Sequence, residues 1–317
     1  MTPITATPSR SLAVVQVSEP SQVTSPGQIM LRRFLRHRMA VVGLILLTII
    51  LVFVIGGALI FSESYANQLA LGEKFKPPSL NHLFGTDSVG RDVFARMIWG
   101  GQISLMIGIV SVVISIIVGT LVGLISGYVG GWVGSLLMRL TDALLSIPTL
   151  VLLLLFSRSL VGNTSTLVIL GREFSASVIA IVLIIGLLNW MRLAHIVRAQ
   201  VLTLKEQEFT TAAIAVGARQ TRIIFQHVLP NCLAPIIVNA TLGIGSAIVT
   251  EAYLSFLGFG VLQPTATWGN ILTGAQARLA EVPWVWFFPG IFIILTVLAI
   301  NFIGDGLRDA FDPRSHH

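Results

Sequence analysis

The chain has 317 residues, of which 54% are hydrophobic and only 11% charged. Soluble domains carry about 25% charged residues, so this composition excludes an ordinary soluble domain and defines an integral membrane protein. The net charge of +6 comes from Arg and Lys dispersed among loops, which reads as membrane topology rather than nucleic-acid binding, and the single Cys232 excludes an intrachain disulfide framework and a multi-cysteine metal site.

Residues 1–30 are rich in Ser, Thr, Pro and Val and are expected to form a flexible tail. Their apolar stretch, 12–17, is too short for a signal peptide and lacks a basic lead-in and cleavage site. Arg32, Arg33, Arg36 and Arg38 then open the segment 31–61, directly before a first apolar run over 39–61 that holds no charged residue. Such a cluster stays in the cytosol. An external loop follows over 62–101, then a core of five spans over 102–305 and a short tail over 306–317. A span takes about 20 apolar residues, and the core supplies runs near 103–125, 136–156, 178–193, 233–257 and 284–303. The expected fold is therefore all-α, a polytopic protein with six transmembrane helices and both termini in the cytosol. Trp99, Trp132, Trp190, Trp284 and Trp286 fall near predicted span ends, where amphipathic rings prefer to sit, and Trp268 falls in an external loop.

Within the core, Gly119, Gly123 and Gly127 stand four residues apart, a spacing that lets a neighbouring helix approach closely. Arg139 and Asp142 are one turn apart and are expected to pair. Pro148 should kink the third span. Asn189, Arg192 and His195 follow one face of the fourth span and are expected to anchor its cytosolic end.

Between the fourth and fifth spans lies a polar segment, 205–231, that should form a helix, turn, helix hairpin outside the bilayer. Helix formers fill 205–216, Gly217 suits the left-handed backbone just past a helix end, and a second short helix should run from Arg219 towards Leu229. Pro230 is expected to stop that piece before the next span begins. Ala212, Ala213 and Ala215 give the first helix small residues that another surface can approach. Beyond it, Glu251 is an ionisable group near the external end of the fifth span, a candidate for the translocation path or a group held by neighbouring donors. The histidines are scattered without metal-site spacing. Neither Gly-x-Ser-x-Gly nor HExxH occurs, so nothing points to a membrane enzyme.

Ala212, Ala213, Gly217, Leu229 and Pro230 stand at the spacing of the EAA loop of bacterial ABC importer permeases, with Thr211 at the place of the usual acid and His227 at that of an aliphatic. Residues 83–104 (LFGTDSVGRDVFARMIWGGQIS), 127–148 and 251–270 (EAYLSFLGFGVLQPTATWGN) resemble segments of the dipeptide, oligopeptide and nickel importer permeases of the C type, so the resemblance covers 31–312. It implies an ATP-driven importer made of this chain, a sister permease, two ABC ATPase subunits and an external solute-binding protein, with peptides as cargo. Nickel or another small solute, or an ATP-independent transporter or channel, are the alternatives. The resemblance also implies that the EAA-like loop (Thr211, Ala212, Ala213, Gly217, Leu229, Pro230) docks on the ATPase, so that Gly217→Val or Ala213→Arg should uncouple transport. No GxxxxGK[ST] loop is present. ATP and magnesium are thus expected on the partner ATPases, with no cofactor or metal bound by this chain in the bacterial inner membrane.

Overall fold

The computed structural model describes residues 26–160, 166–169 and 172–311. Helix α1 (Pro26–Arg36) leads into α2 (Arg38–Leu51), whose start is capped by His37 Nδ1 accepting from the Ala40 amide at 3.1 Å. A π turn, Val52–Gly56, extends α2 to complete the first apolar crossing. After the short α3 (Glu63–Asn67), Asp92 caps α4 (Val93–Tyr128), accepting from the Ala95 amide at 2.8 Å. Next come α5 (Gly131–Leu145), α6 (Thr149–Leu160), an antiparallel hairpin of β1 (Thr166–Ile169) with β2 (Arg172–Ser175), and α7 (Ala176–Lys205). The chain closes with α8 (Glu208–Ala215), α9 (Gln220–Ile223), α10 (Leu229–Phe256), α11 (Trp268–Thr273) and α12 (Pro283–Phe311).

Five of these elements are long and apolar enough to cross a membrane, and α5 with α6 makes a sixth if that pair counts as one broken span. The expected span over 136–156 is therefore corrected. Instead of a kink at Pro148, the chain bends by 81° between α5 and α6. Proline has no amide hydrogen and disfavours helix at the residue before it, so Ile147 and Pro148 open a full corner. Other boundaries shift as well. Residues 26–30, expected in the tail, are helical, while 1–25 lie outside the described residues. Residues 306–311 continue α12 instead of forming a tail.

The glycine stripe explains how the two longest early helices meet. A Cβ built on Gly119 would lie 2.8 Å from the carbonyl oxygen of Trp190, one on Gly123 would lie 2.6 Å from Val197 Cβ, and one on Gly127 would lie 2.9 Å from Val201 Cβ. The α4 and α7 backbones thus approach at a distance only glycine permits, which suits association in lipid, where packing replaces the hydrophobic drive. At 36 residues α4 is about 54 Å long, well beyond a hydrocarbon core of about 30 Å. The two helices end together, at Tyr128 and Lys205.

The opposite end is covered by residues 57–92 and 257–282. There Asp87 accepts from the Arg91 side chain at 2.7 Å, and His82 sits between Asp92 (2.8 Å) and Glu73 (3.1 Å). Hydrogen bonds from Lys76 and His82 hold the Glu73 carboxyl below the usual carboxylate range. Trp268, expected in a loop, begins α11 and is fully buried, its indole N–H donating to the Met97 carbonyl at 3.0 Å.

Candidate functional site

Two features stand out, a hairpin at one end and a cavity midway along the helices. The hairpin starts where Lys205, the last residue of α7, sends Nζ to the carbonyl oxygen of Tyr128 at 2.9 Å and lies 5.4 Å from the centroid of that ring. A cation at a helix C-terminus meets carbonyls left without partners in their own helix. Thr210 is fully buried, and its hydroxyl donates to the Leu204 carbonyl at 2.7 Å. These two bonds hold the start of α8 against the ends of α4 and α7.

At the other end of α8, the Ala218 amide donates to the Ala213 carbonyl at 3.0 Å and the Gly217 amide to that of Ile214 at 2.9 Å. This paired closure requires a left-handed residue between, and Gly217 has φ of 80°. A Cβ on Gly217 would meet nothing within 4 Å, so the backbone angle rather than lack of space selects glycine.

The structure divides the expected site residues. Thr211, Ala212, Ala215 and Gly217 are exposed, beside Ile214 and a Val216 that is 88% exposed. Ala213 instead turns inward with Ala218 and Leu229, against a buried cluster that includes Leu124, Val197, Ile223 and Val228. An arginine at 213 would therefore break the packing beneath the hairpin, and the surface test belongs at Ala212. The second helix does not stop at Pro230. α9, a π turn at Ile224–Val228 and α10 form one continuous span, Gln220–Phe256, with exposed Pro230 in the first turn of α10. In the wide turn the Leu229 amide reaches back to the Ile224 carbonyl, an offset of five residues, which resets the ladder where proline cannot donate.

The cavity, of about 600 Å³, is an open cleft lined by α4, the α5–α6 corner, α7 and α10. Its walls are largely apolar, with Ser115, Asn189, Asn239, Ser246 and Thr250 among the polar groups and Arg192 the sole charged residue. The expected polar face of α7 is thereby split. Asn189 and Arg192 line the cavity, while His195 Nε2 lies 3.0 Å from Asp142 Oδ1 and ties α7 to α5. Asp142 thus pairs with His195 rather than Arg139. Glu251 is buried completely, away from the cavity lining, and accepts from Ser255 at 2.7 Å and Ser104 at 3.2 Å. It joins α10 to α4 near the covered end, the arrangement of a carboxylate held by neighbouring donors. Sequence reasoning passed over Asn239, although a lone amide in an apolar run was a signal. It also missed Thr210 and the Lys205 contact with Tyr128, whose partners are remote in the chain.

Long apolar spans, a corner that borders a cavity and an anchored hairpin at one end define a polytopic transport subunit. Residues 119–317 match the family model described as binding-protein-dependent transport system inner membrane component, and residues 25–78 match the N-terminal TM domain of oligopeptide transport permease C. The chain belongs to the family of binding-protein-dependent inner-membrane transport components. A protein of Brucella suis biovar 1 that carries the name of a peptide permease is 43% identical over 294 residues, 92% of each chain. The dipeptide transport system permease protein DppC of Alkalihalophilus pseudofirmus is 40% identical over 92% of this chain and 90% of its own. The oligopeptide transport system permease protein OppC of Bacillus subtilis is 38% identical over 89% and 88%. This is accordingly a multi-pass inner-membrane permease subunit of an ABC transport system. It is not itself an enzyme, since ATP hydrolysis belongs to partner subunits.

Proposed function

We propose that the chain forms half of the translocation path of a peptide importer, paired with a sister permease and served by two ATPase subunits and an external solute-binding protein. The observation that carries this reading is the hairpin. An exposed apolar helix, α8, is fixed by Lys205 and Thr210 to α4 and α7, two helices that border the cavity. A push on α8 is thereby delivered to the walls of the path. Thr211, Ala212, Ala215 and Val216 form the face offered to the ATPase, and Gly217 closes the helix that presents it. The chain itself takes no cofactor in this reading, and ATP with magnesium works on the partner. The hairpin end lies in the cytosol in this reading, which accords with Arg32, Arg33, Arg36 and Arg38 standing before the first span.

Peptide cargo accords with the names of the relatives and with a cavity whose apolar walls carry spaced amide and hydroxyl groups, suited to a backbone of mixed polarity. The test is uptake of a labelled tripeptide into vesicles holding the reconstituted complex. ATP-dependent accumulation supports the reading. Accumulation of nickel or another small solute without any of peptide would replace the cargo, and uptake without ATP would remove the coupling role.

A further inference from the structure

The one charge in the cavity wall has no acid to meet. Arg192 is exposed to the cavity, and among the described residues no carboxylate lies within ion-pairing distance of it. Asp142 of α5 is held by His195, one turn further along α7. Nor does Arg192 mark the end of its helix. α7 runs 13 residues beyond it to Lys205, about 20 Å at the rise of an α-helix, and the end is already supplied with Arg198 and Lys205. An ionisable side chain in a membrane span that faces a cavity is costly to keep, and its usual recompense is a ligand or a path. Two amides, Asn189 one turn away on α7 and Asn239 on the facing α10, also line this cavity, and neither side chain hydrogen-bonds to another of the described residues.

We propose that Arg192 is the cargo-reading residue of this half of the path, and that it receives a carboxylate of the passing peptide while Asn189 and Asn239 take its backbone amides. This rests on the peptide reading above. Guanidinium chemistry suits the task, since its planar fork matches both oxygens of a carboxylate in two parallel hydrogen bonds and stays charged at every physiological pH. A lysine would supply the charge but not the fork. The carboxylate can be the peptide's own terminus or an acidic side chain, and the cargo series separates the two.

The experiment is ATP-dependent uptake at low cargo concentration into vesicles carrying the whole complex, with its binding protein, for the wild type, Arg192→Gln and Arg192→Lys. Assembly of each variant is checked by co-purification of the partner subunits. Three cargoes are used: trialanine, trialanine amide, and an alanine peptide amide with one glutamate. The solute-binding protein has preferences of its own, but it is the same in every vesicle, so the change in the acid-to-amide uptake ratio on substitution isolates the permease. Losing a hydrogen bond to a charged group predicts that this ratio falls about tenfold or more in Arg192→Gln, and by less in Arg192→Lys. If the glutamate cargo rather than trialanine shows the fall, the carboxylate read is a side chain. A ratio unchanged in Arg192→Gln, with uptake of all three cargoes scaled equally, would overturn the proposal while leaving the peptide reading intact. Should Arg192→Gln not assemble, an unchanged ratio in Arg192→Lys overturns it as well. A wild-type complex that accumulates none of the three cargoes would overturn the peptide reading and this inference with it.

Discussion

Gly217 offers a graded test of the hairpin, because the structure separates its two reasons for being glycine. With φ of 80° and nothing within 4 Å of a built Cβ, substitution costs conformational energy alone. An L-residue in the left-handed region costs about 1–2 kcal/mol, Asn less because its short polar side chain tolerates that region, and a β-branched residue more. Gly217→Ala should then loosen the closure of α8 by about tenfold in its opening equilibrium, at about 1.4 kcal/mol per factor of ten. Gly217→Asn should cost less than Ala and Gly217→Val more. Hydrogen exchange reads this directly at the Gly217 and Ala218 amides, which donate to Ile214 and Ala213. The Ala95 amide, capped by Asp92 at the far end of α4, serves as the unaffected control. Equal losses for Asn, Ala and Val, or losses that spread to Ala95, would refute the argument that backbone angle selects this glycine.

Other perturbations follow from the same contacts. Gly123→Leu forces α4 away from Val197 and Ala194, and overpacking of this kind costs about 1–3 kcal/mol; a fall in the thermal midpoint of the purified complex checks it. Lys205→Met removes the bond to Tyr128, a hydrogen bond to a charged group of about 1.5–3 kcal/mol before solvent screening at this exposed site reduces it. Faster exchange at the start of α8 with an unchanged α4 core is the expected result. Trp268→Ala empties a fully buried site and leaves the Met97 carbonyl without its indole partner, at about 3–5 kcal/mol, and should give the lowest midpoint of the set. At the covered end, Glu73 has its carboxyl held below the usual range, so its support for the loop is present above the ordinary carboxylate value and fades as pH falls through the depressed one. Proteolysis of residues 68–92 should therefore accelerate in acid for the wild type, and Glu73→Gln should flatten that dependence.

Which parts were legible in the chain follows from the reach of the interactions involved. The glycine stripe and Gly217 are local patterns, and their physical meanings carry over directly to the α4–α7 contact and the closure of α8. Pro148 marks a disturbance in the sequence but not an 81° corner, because how far a proline opens a helix depends on what packs around it. Pro230 does not end the helix for the complementary reason, since a wide turn at Ile224–Val228 accommodates it and no single-residue propensity announces such a turn. The inward turn of Ala213 could not be told from the outward turn of Ala212 without knowing which side of α8 meets the core. Arg192 and His195 share a helical face, yet one lines a cavity and the other pairs with Asp142, a division set by where α5 bends away.

The central claim is that the exposed face of α8 meets the ATPase. Replacing the buried Cys232 by alanine gives a background free of cysteine, into which Val216→Cys is introduced on α8 and Leu80→Cys, at a position 98% exposed, on the opposite end. A bifunctional cross-linker applied to membranes with all subunits present should join the ATPase to position 216 and not to position 80. Cross-linking from position 80 with none from 216 would contradict the account.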